Sequence, residues 1–246
     1  MSLDSSDNHP GREPVHRKFR LSKSKLASFE HCAKRLWLQV HRRDLAVIDP
    51  RTEALFAAGH RLGELAREQV PNGILLDSDP LKVDEALEHT ANLLKGPWIR
   101  PLFEPAFKLD DVIIRADILQ PDGWGGWKLI EVKNSTAVRL YQLRDVATQA
   151  WVVRGSGLCV SNVIIRHSSR RLYSPMSRAL PGPLIDVDVT SDLGNLIRDR
   201  PRVAQAARQV LRGPEPHRPA GPHCTQPFRC EFREYCSKGE RAKKRN

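Results

Sequence analysis

The stretch VIIRADILQPDGWGGWKLIEVK, residues 112–133, holds two apolar runs around a turn-rich segment. VIIRADIL and WKLIEVK are rich in β-branched and aromatic residues, as strands are, and QPDGWGG between them is turn chemistry. A turn centred near Trp124 pairs the runs antiparallel and sets Asp117 almost opposite Glu131. Side chains alternate along a strand, so Glu131 and Lys133 share a face. Directly opposed residues bring their Cβ atoms to about 5 Å. Two carboxylates at that range repel unless a cation sits between them. Their neighbours Ile113, Ile114, Leu129 and Ile130 are apolar, a setting where charge is costly without a purpose. Hard oxygen donors of this kind suit Mg2+ or Mn2+. The same three residues equally suit a partly buried salt bridge in which Lys133 only neutralises the acids.

Working outward, LFEPAFKL (102–109) predicts the first of three consecutive antiparallel strands, and LCVSNVIIRH (158–167) a fourth strand. Between them, residues 138–153 have helical period, with Leu140, Leu143, Val146 or Ala147, Ala150 and Trp151 facing inward. Upstream, one amphipathic helix is expected from Ser22 or Ser24 to about residue 42. Its apolar stripe is Leu26, Phe29, Ala33, Leu36, Trp37 and Val40. Further helices are expected at about 51–69 and 80–95, separated by PNG at 71–73. The order predicts an α/β fold, a mixed central sheet flanked by helices. Residues 1–18 and a basic tail, 239–246, are expected to be disordered around one domain, 19–238.

The chain of 246 residues carries a net charge of +11, which favours a polyanionic partner such as DNA. Lys23, Lys25, Lys34, Arg35, Arg42 and Arg43 are the expected phosphate contacts. No apolar run approaches a membrane span and the polar start MSLDSSDNHPGREP does not read as a secretory signal, so a cytoplasmic protein without a membrane partner is expected. In that compartment clustered cysteines more often bind metal than form disulfides. No Walker-type glycine loop and no GxSxG occurs.

Cys224, Cys230 and Cys236 have the spacing C-x5-C-x5-C, wider than the paired cysteines of most zinc sites. Four thiolates are also the ligand set of an iron–sulfur cluster. A fourth cysteine must be Cys32 or Cys159. Cys159 follows Leu158 in an apolar strand, where an inert buried thiol is expected. Cys32 lies in FEHCAKRLWL, among aromatic and basic residues.

RADIL, LIEVKNST and DVATQAW together resemble the motifs of PD-(D/E)XK nucleases, and of their RecB-like branch in particular. That resemblance implies a restriction-endonuclease-like core, with Asp117 and Glu131 as ligands of Mg2+ or Mn2+, Lys133 as the catalytic lysine and Gln149 as the glutamine of the following helix. Val153 stands where the family's aromatic follows that glutamine. The family's metal-binding histidine falls on Gly63 in AAGHRLGELA, with His60 one turn earlier as its substitute. Glu64, Glu104 and Tyr141 are secondary candidates. One cysteine near the start and three near the end resemble the iron–sulfur nucleases, including AddB nuclease domains and CRISPR-associated exonucleases. LSKSKLASFEHCAKRLWL is similar to their N-terminal motif. The resemblance covers about residues 20–237. It implies a 4Fe–4S cluster on Cys32, Cys224, Cys230 and Cys236 tying both ends of the domain together. The wider spacing leaves 2Fe–2S or zinc open. It also implies DNA as substrate and a helicase or an integrase as partner. A binding module without catalysis and a cluster-based redox sensor are the alternatives.

Overall fold

The computed structural model describes residues 19–76, 79, 82–97, 99–169 and 182–243, so the expected disorder of 1–18 and 244–246 lies outside the described residues. In chain order the elements are β1 (Leu21–Ser22), α1 (Lys23–His31), α2 (Ala33–His41), α3 (Pro50–Glu68), β2 (Ile74–Leu75), α4 (Val83–Lys95), β3 (Leu102–Phe103) and β4 (Ala106–Leu109). There follow β5 (Val112–Arg115), β6 (Ile118–Pro121), β7 (Trp127–Lys133), α5 (Leu140–Gly155), β8 (Val160–Ser168), β9 (Leu184–Asp188), α6 (Gly194–Arg212) and α7 (Arg233–Lys243).

The protein is mixed α/β, with two mixed sheets in place of the single sheet expected. One has the order β1-β5-β4 and the other β2-β3-β6-β7-β8-β9. Both break out of strands that the sequence pattern treats as continuous. LFEPAFKL divides at Glu104-Pro105 into β3 and β4, and VIIRADIL divides at Ala116-Asp117 into β5 and β6. Pro105 has no N–H for a ladder, and Glu104 adopts a left-handed φ of 57°, which turns the chain. The pair stays joined across the bend, because Glu104 N donates to Asp117 O at 3.2 Å and Ala116 N to Pro105 O at 3.1 Å. Asp117 therefore stands at the corner between the sheets.

The β6–β7 hairpin has the expected register: Ile118 faces Ile130 and Leu119 faces Leu129. One step further that register sets Asp117 across from Glu131. β7 then pairs parallel with β8, which requires the crossover that α5 provides. Val146, Ala147, Ala150, Val152 and Val153 of α5 are buried in the main core with Leu129, Val163 and Ile165. Leu143 and Trp151 are partly buried there, whereas Leu140 is exposed, because it opens the helix at its free end. The helix passes so close to β4 that a Cβ on Gly155 would collide with the Leu109 side chain.

The expected N-terminal helix is two helices. Ser22 caps α1 by accepting from Lys25 N, and Cys32 ends it in an extended conformation (φ −164°, ψ 118°). Cys32 N donates to Ser28 O while Cys32 O accepts from Leu36 N, so one residue closes α1 and opens α2. Leu26 and Leu36 still enter the main core from the two helices, each burial contributing roughly 2 kcal/mol. Arg200 of α6, 1% exposed, grips both oxygens of Glu30 at 2.9 and 3.0 Å and locks α1 to α6. α7 continues to Lys243, so the backbone of 239–243 is helical where a disordered tail is expected. Arg, Ala and Lys there are good helix formers once a helix has begun. No helix among the described residues is long and apolar enough to cross a membrane.

Candidate metal centres

The first centre gathers at the corner between the sheets. Glu131 is 3% exposed on β7, and its carboxylate is saturated with donors. Lys133 Nζ donates to Oε1 at 2.6 Å, Gln149 Nε2 to Oε2 at 2.7 Å, and Lys23 Nζ to both oxygens at 3.0 and 3.1 Å. Lys133 also pairs with Asp145, one helical turn before Gln149 on α5. Asp117 Oδ2 accepts from Val132 N at 2.7 Å, which ties the corner to β7. The structure thus brings together Asp117, Glu131, Lys133 and Gln149 as the sequence predicts, and adds Lys23 and Asp145.

The charges respond to this geometry in opposite ways. Burial raises the Asp117 carboxyl to about 7, reinforced by the charge of Glu131 beside it. Burial disfavours the Glu131 charge too, but Lys133 and Lys23, with the hydrogen bonds from Lys133 and Gln149, outweigh it and hold that carboxyl well below its ordinary range. Burial likewise opposes the charges of Lys23 and Lys133; the surrounding carboxylates prevail, and both ammonium groups lose their protons only well above the usual lysine range. Gln149 is fully buried, and its Oε1 has no partner.

His60 is on α3. α3 packs Ala58 and Leu62 against Val132, and Ala66 against Ile118 and Ile130. His60 is exposed on another side of that helix, as is Glu64, which pairs with Arg61 at 3.3 Å. Gly63 itself is half-buried, and Arg67 one turn further along the helix is the residue that reaches Glu104. Glu104 sits closer to the centre: burial raises its carboxyl, with Lys23, Arg67 and Glu131 acting on its charge, and Arg67 Nη1 pairs with it at 3.7 Å. Tyr141 is exposed, its ring edge-on to Phe228 at 6.2 Å. Among the described residues, no three His, Cys, Asp or Glu side chains form a ready ligand set for one metal ion.

The second centre is a pocket lined by all four expected cysteines, Cys32, Cys224, Cys230 and Cys236. Cys32, Cys224 and Cys230 are buried and Cys236 partly so; all are free thiols. Burial pushes the Cys230 thiol up to about 11, and raises that of Cys236. Cys159 is not the buried thiol expected; it is exposed, because it lies in the turn ahead of β8, where its carbonyl accepts from Trp127 N. Around the pocket the two ends of the chain are knitted by other bonds. Arg35 Nε donates to both oxygens of Glu231 at 3.2 and 3.0 Å, Gln39 joins the same carboxylate at 2.7 Å, and Trp37 Nε1 donates to Gly213 O at 3.0 Å. Lys34 pairs with Glu215 at 2.8 Å and Arg42 with Asp44 at 2.9 Å. Lys25 Nζ donates to Arg20 O at 2.7 Å, so five of the expected phosphate contacts, Lys23, Lys25, Lys34, Arg35 and Arg42, already have partners within the chain.

In donor type the residues match the groups the resemblance implies, although no three of the described His, Cys, Asp or Glu side chains are arranged as a ready ligand set. The first centre offers hard carboxylate oxygens, and burial, reinforced by the charge of Glu131, holds the proton on Asp117. The second offers four soft thiols around one space and leaves the fifth outside.

Comparison with known proteins adds little. No family model matches the sequence, and no curated protein matches it. Among solved structures, the chain is similar to the crystal structure of SSO0001 at 12% identity and a TM-score of 0.41, over 90% of this chain and 88% of that chain.

Proposed function

We propose that the protein is a divalent-metal-dependent deoxyribonuclease of the PD-(D/E)XK type, held closed by an iron–sulfur cluster. The observation that carries this reading is the convergence of Asp117, Glu131, Lys133 and Gln149 at the corner between the sheets. Asp117 and Glu131 would hold Mg2+ or Mn2+. A divalent ion there supplies an acidified water and neutralises charge on a phosphate. The protein's own groups do the rest. Gln149 fixes the orientation of Glu131 through Oε2, and the Val132 amide fixes that of Asp117 through Oδ2. Lys133 stays protonated beside Glu131 and presents a positive charge to the phosphate oxygens as their negative charge develops. Asp145 anchors the Lys133 ammonium from α5. Cys32, Cys224, Cys230 and Cys236 would hold the cluster, 4Fe–4S before 2Fe–2S or zinc, as a clamp on both ends of the domain.

A second reading has an observation of its own. Glu131 is fully satisfied by Lys23, Lys133 and Gln149, which suits a charge-balanced structural centre in a DNA-binding module without catalysis. One experiment separates them. Protein purified without air is incubated with labelled single- and double-stranded DNA, with Mn2+ or with EDTA. Cleavage that needs Mn2+ and disappears in Asp117→Asn and Lys133→Ala, both folded, is expected; wild type that binds DNA and leaves it intact would establish the binding module.

A further inference from the structure

Lys23 reaches the acidic centre from 108 positions away in sequence. Its ammonium sits astride the Glu131 carboxylate, 3.0 Å from one oxygen and 3.1 Å from the other, where a bound cation would sit. Asp117 and Asp145 add their charge around it. Its side chain keeps 24% exposure against 3% for Glu131, so it stands on the solvent side of that carboxylate. Nothing in the start of α1 depends on this contact. Ser22 caps the helix through Lys25 N, and a flexible four-carbon stem can swing an ammonium away without unwinding the backbone. Lys133 differs, being held by Asp145 as well as by Glu131.

Charge counting points the same way. Asp117, Glu131 and Asp145 face Lys23 and Lys133, while Glu104 has Arg67. With Lys23 withdrawn, the three carboxylates exceed the one remaining ammonium by two charges, which one divalent ion balances. With Lys23 in place, the same ion would leave the centre positive, and that is costly in a buried setting.

We propose that Lys23 is the resident cation of the acidic centre and that a divalent ion binds Glu131 only by displacing it. The proposal rests on the reading of Asp117 and Glu131 as divalent-ion ligands. It makes Lys23 a residue that sets metal affinity and keeps Glu131 neutralised between loadings. Occupancy by the ammonium lowers the apparent affinity of the ion in proportion to the fraction of molecules left open.

The test is Mn2+ binding to the full chain, followed by calorimetry and by the electron paramagnetic resonance signal of free Mn2+. Lys23→Met and Lys23→Gln, with folding checked by circular dichroism, are expected to bind Mn2+ about tenfold or more tightly than wild type. Equal or weaker binding by the folded variants overturns the proposal. Should neither variant fold, wild type labelled with 15N-lysine gives the answer. Saturating Mg2+ is expected to move the Lys23 ammonium resonance from slow to fast exchange with water, and an unchanged resonance overturns the displacement. Mn2+ affinity that survives Asp117→Asn undiminished would sink the ligand assignment itself, which is a separate failure. No binding by any form would overturn both.

Discussion

The acidic centre and the cysteine pocket stand at opposite ends of one short helix. α1 begins with Lys23 on Glu131 and ends at Cys32 in the pocket, about 13 Å apart along the helix axis. At the first end, the chain supplies its own counter-charges: every Glu131 oxygen has donors, and two ammonium groups are held protonated. At the second end, four thiols meet in a pocket whose burial raises the Cys230 thiol. Lys34 and Arg35 line that pocket but are paired with Glu215 and Glu231, whereas the ammonium groups of the acidic centre bond Glu131 directly. On the proposed reading, a cation would enter the acidic centre by exchange with Lys23 and the pocket by replacing thiol protons.

The largest effect that would break this comparison lies at the pocket. Cys32→Ala, and equally Cys224→Ala, Cys230→Ala or Cys236→Ala, is expected to abolish the brown colour, iron and acid-labile sulfide of protein made without air. Closing a loop of 192 residues between Cys32 and Cys224 stabilises by about 5 kcal/mol in the chain-entropy picture. Limited proteolysis should thus cut at both ends of the domain in each variant. Cys159→Ala, at an exposed turn, should keep colour and resistance. Colour that survives Cys32→Ala would sink the clamp, and one stoichiometric zinc without iron would change the cluster while leaving the clamp intact.

Next in size is Glu131→Ala. It strands Lys23, Lys133 and Gln149 around a buried gap, and removal of one partner from such a network costs about 3–5 kcal/mol. Urea denaturation with divalent ions chelated measures it. A loss below about 1 kcal/mol would mean that the ammonium groups are solvated without Glu131.

The smallest effect has the opposite sign. Asp117 keeps its proton to about 7 in the fold against 3.8 ordinarily. A carboxyl raised in this way stabilises the fold fully below the lower value and loses that contribution as pH climbs through the upper one. With divalent ions chelated, wild-type Tm should fall as pH rises from 3.8 to about 7 and then level off, while Asp117→Asn should stay flatter and melt higher at pH 8. Parallel Tm profiles for the two proteins would refute the raised carboxyl. Excess Mg2+ should reverse the order, because the ion favours the ionised wild-type carboxylate.

The hairpin and the residues it carries were legible without the fold. Two apolar runs around Trp124 set the register, and a period of two put Glu131 and Lys133 on one face; Gln149 follows on a helix of unmistakable period. Local periodicity suffices there because the partners lie within about one supersecondary unit. The sequence also singled out Cys32 against Cys159, although for a reason the exposed turn at Cys159 does not bear out. Asp145, one turn from Gln149, had a usable signal in that spacing. Long-range packing settled the rest. Pattern alone cannot show that a left-handed Glu104 and a proline bend paired strands into two sheets, since the apolar alternation runs on through the bend. The same limit hid the break at Cys32, the exposure of His60 and the arrival of Lys23. A charged side chain looks the same in sequence whether it meets solvent or a carboxylate 108 residues away, and only the packed chain supplies the partner that makes its burial favourable.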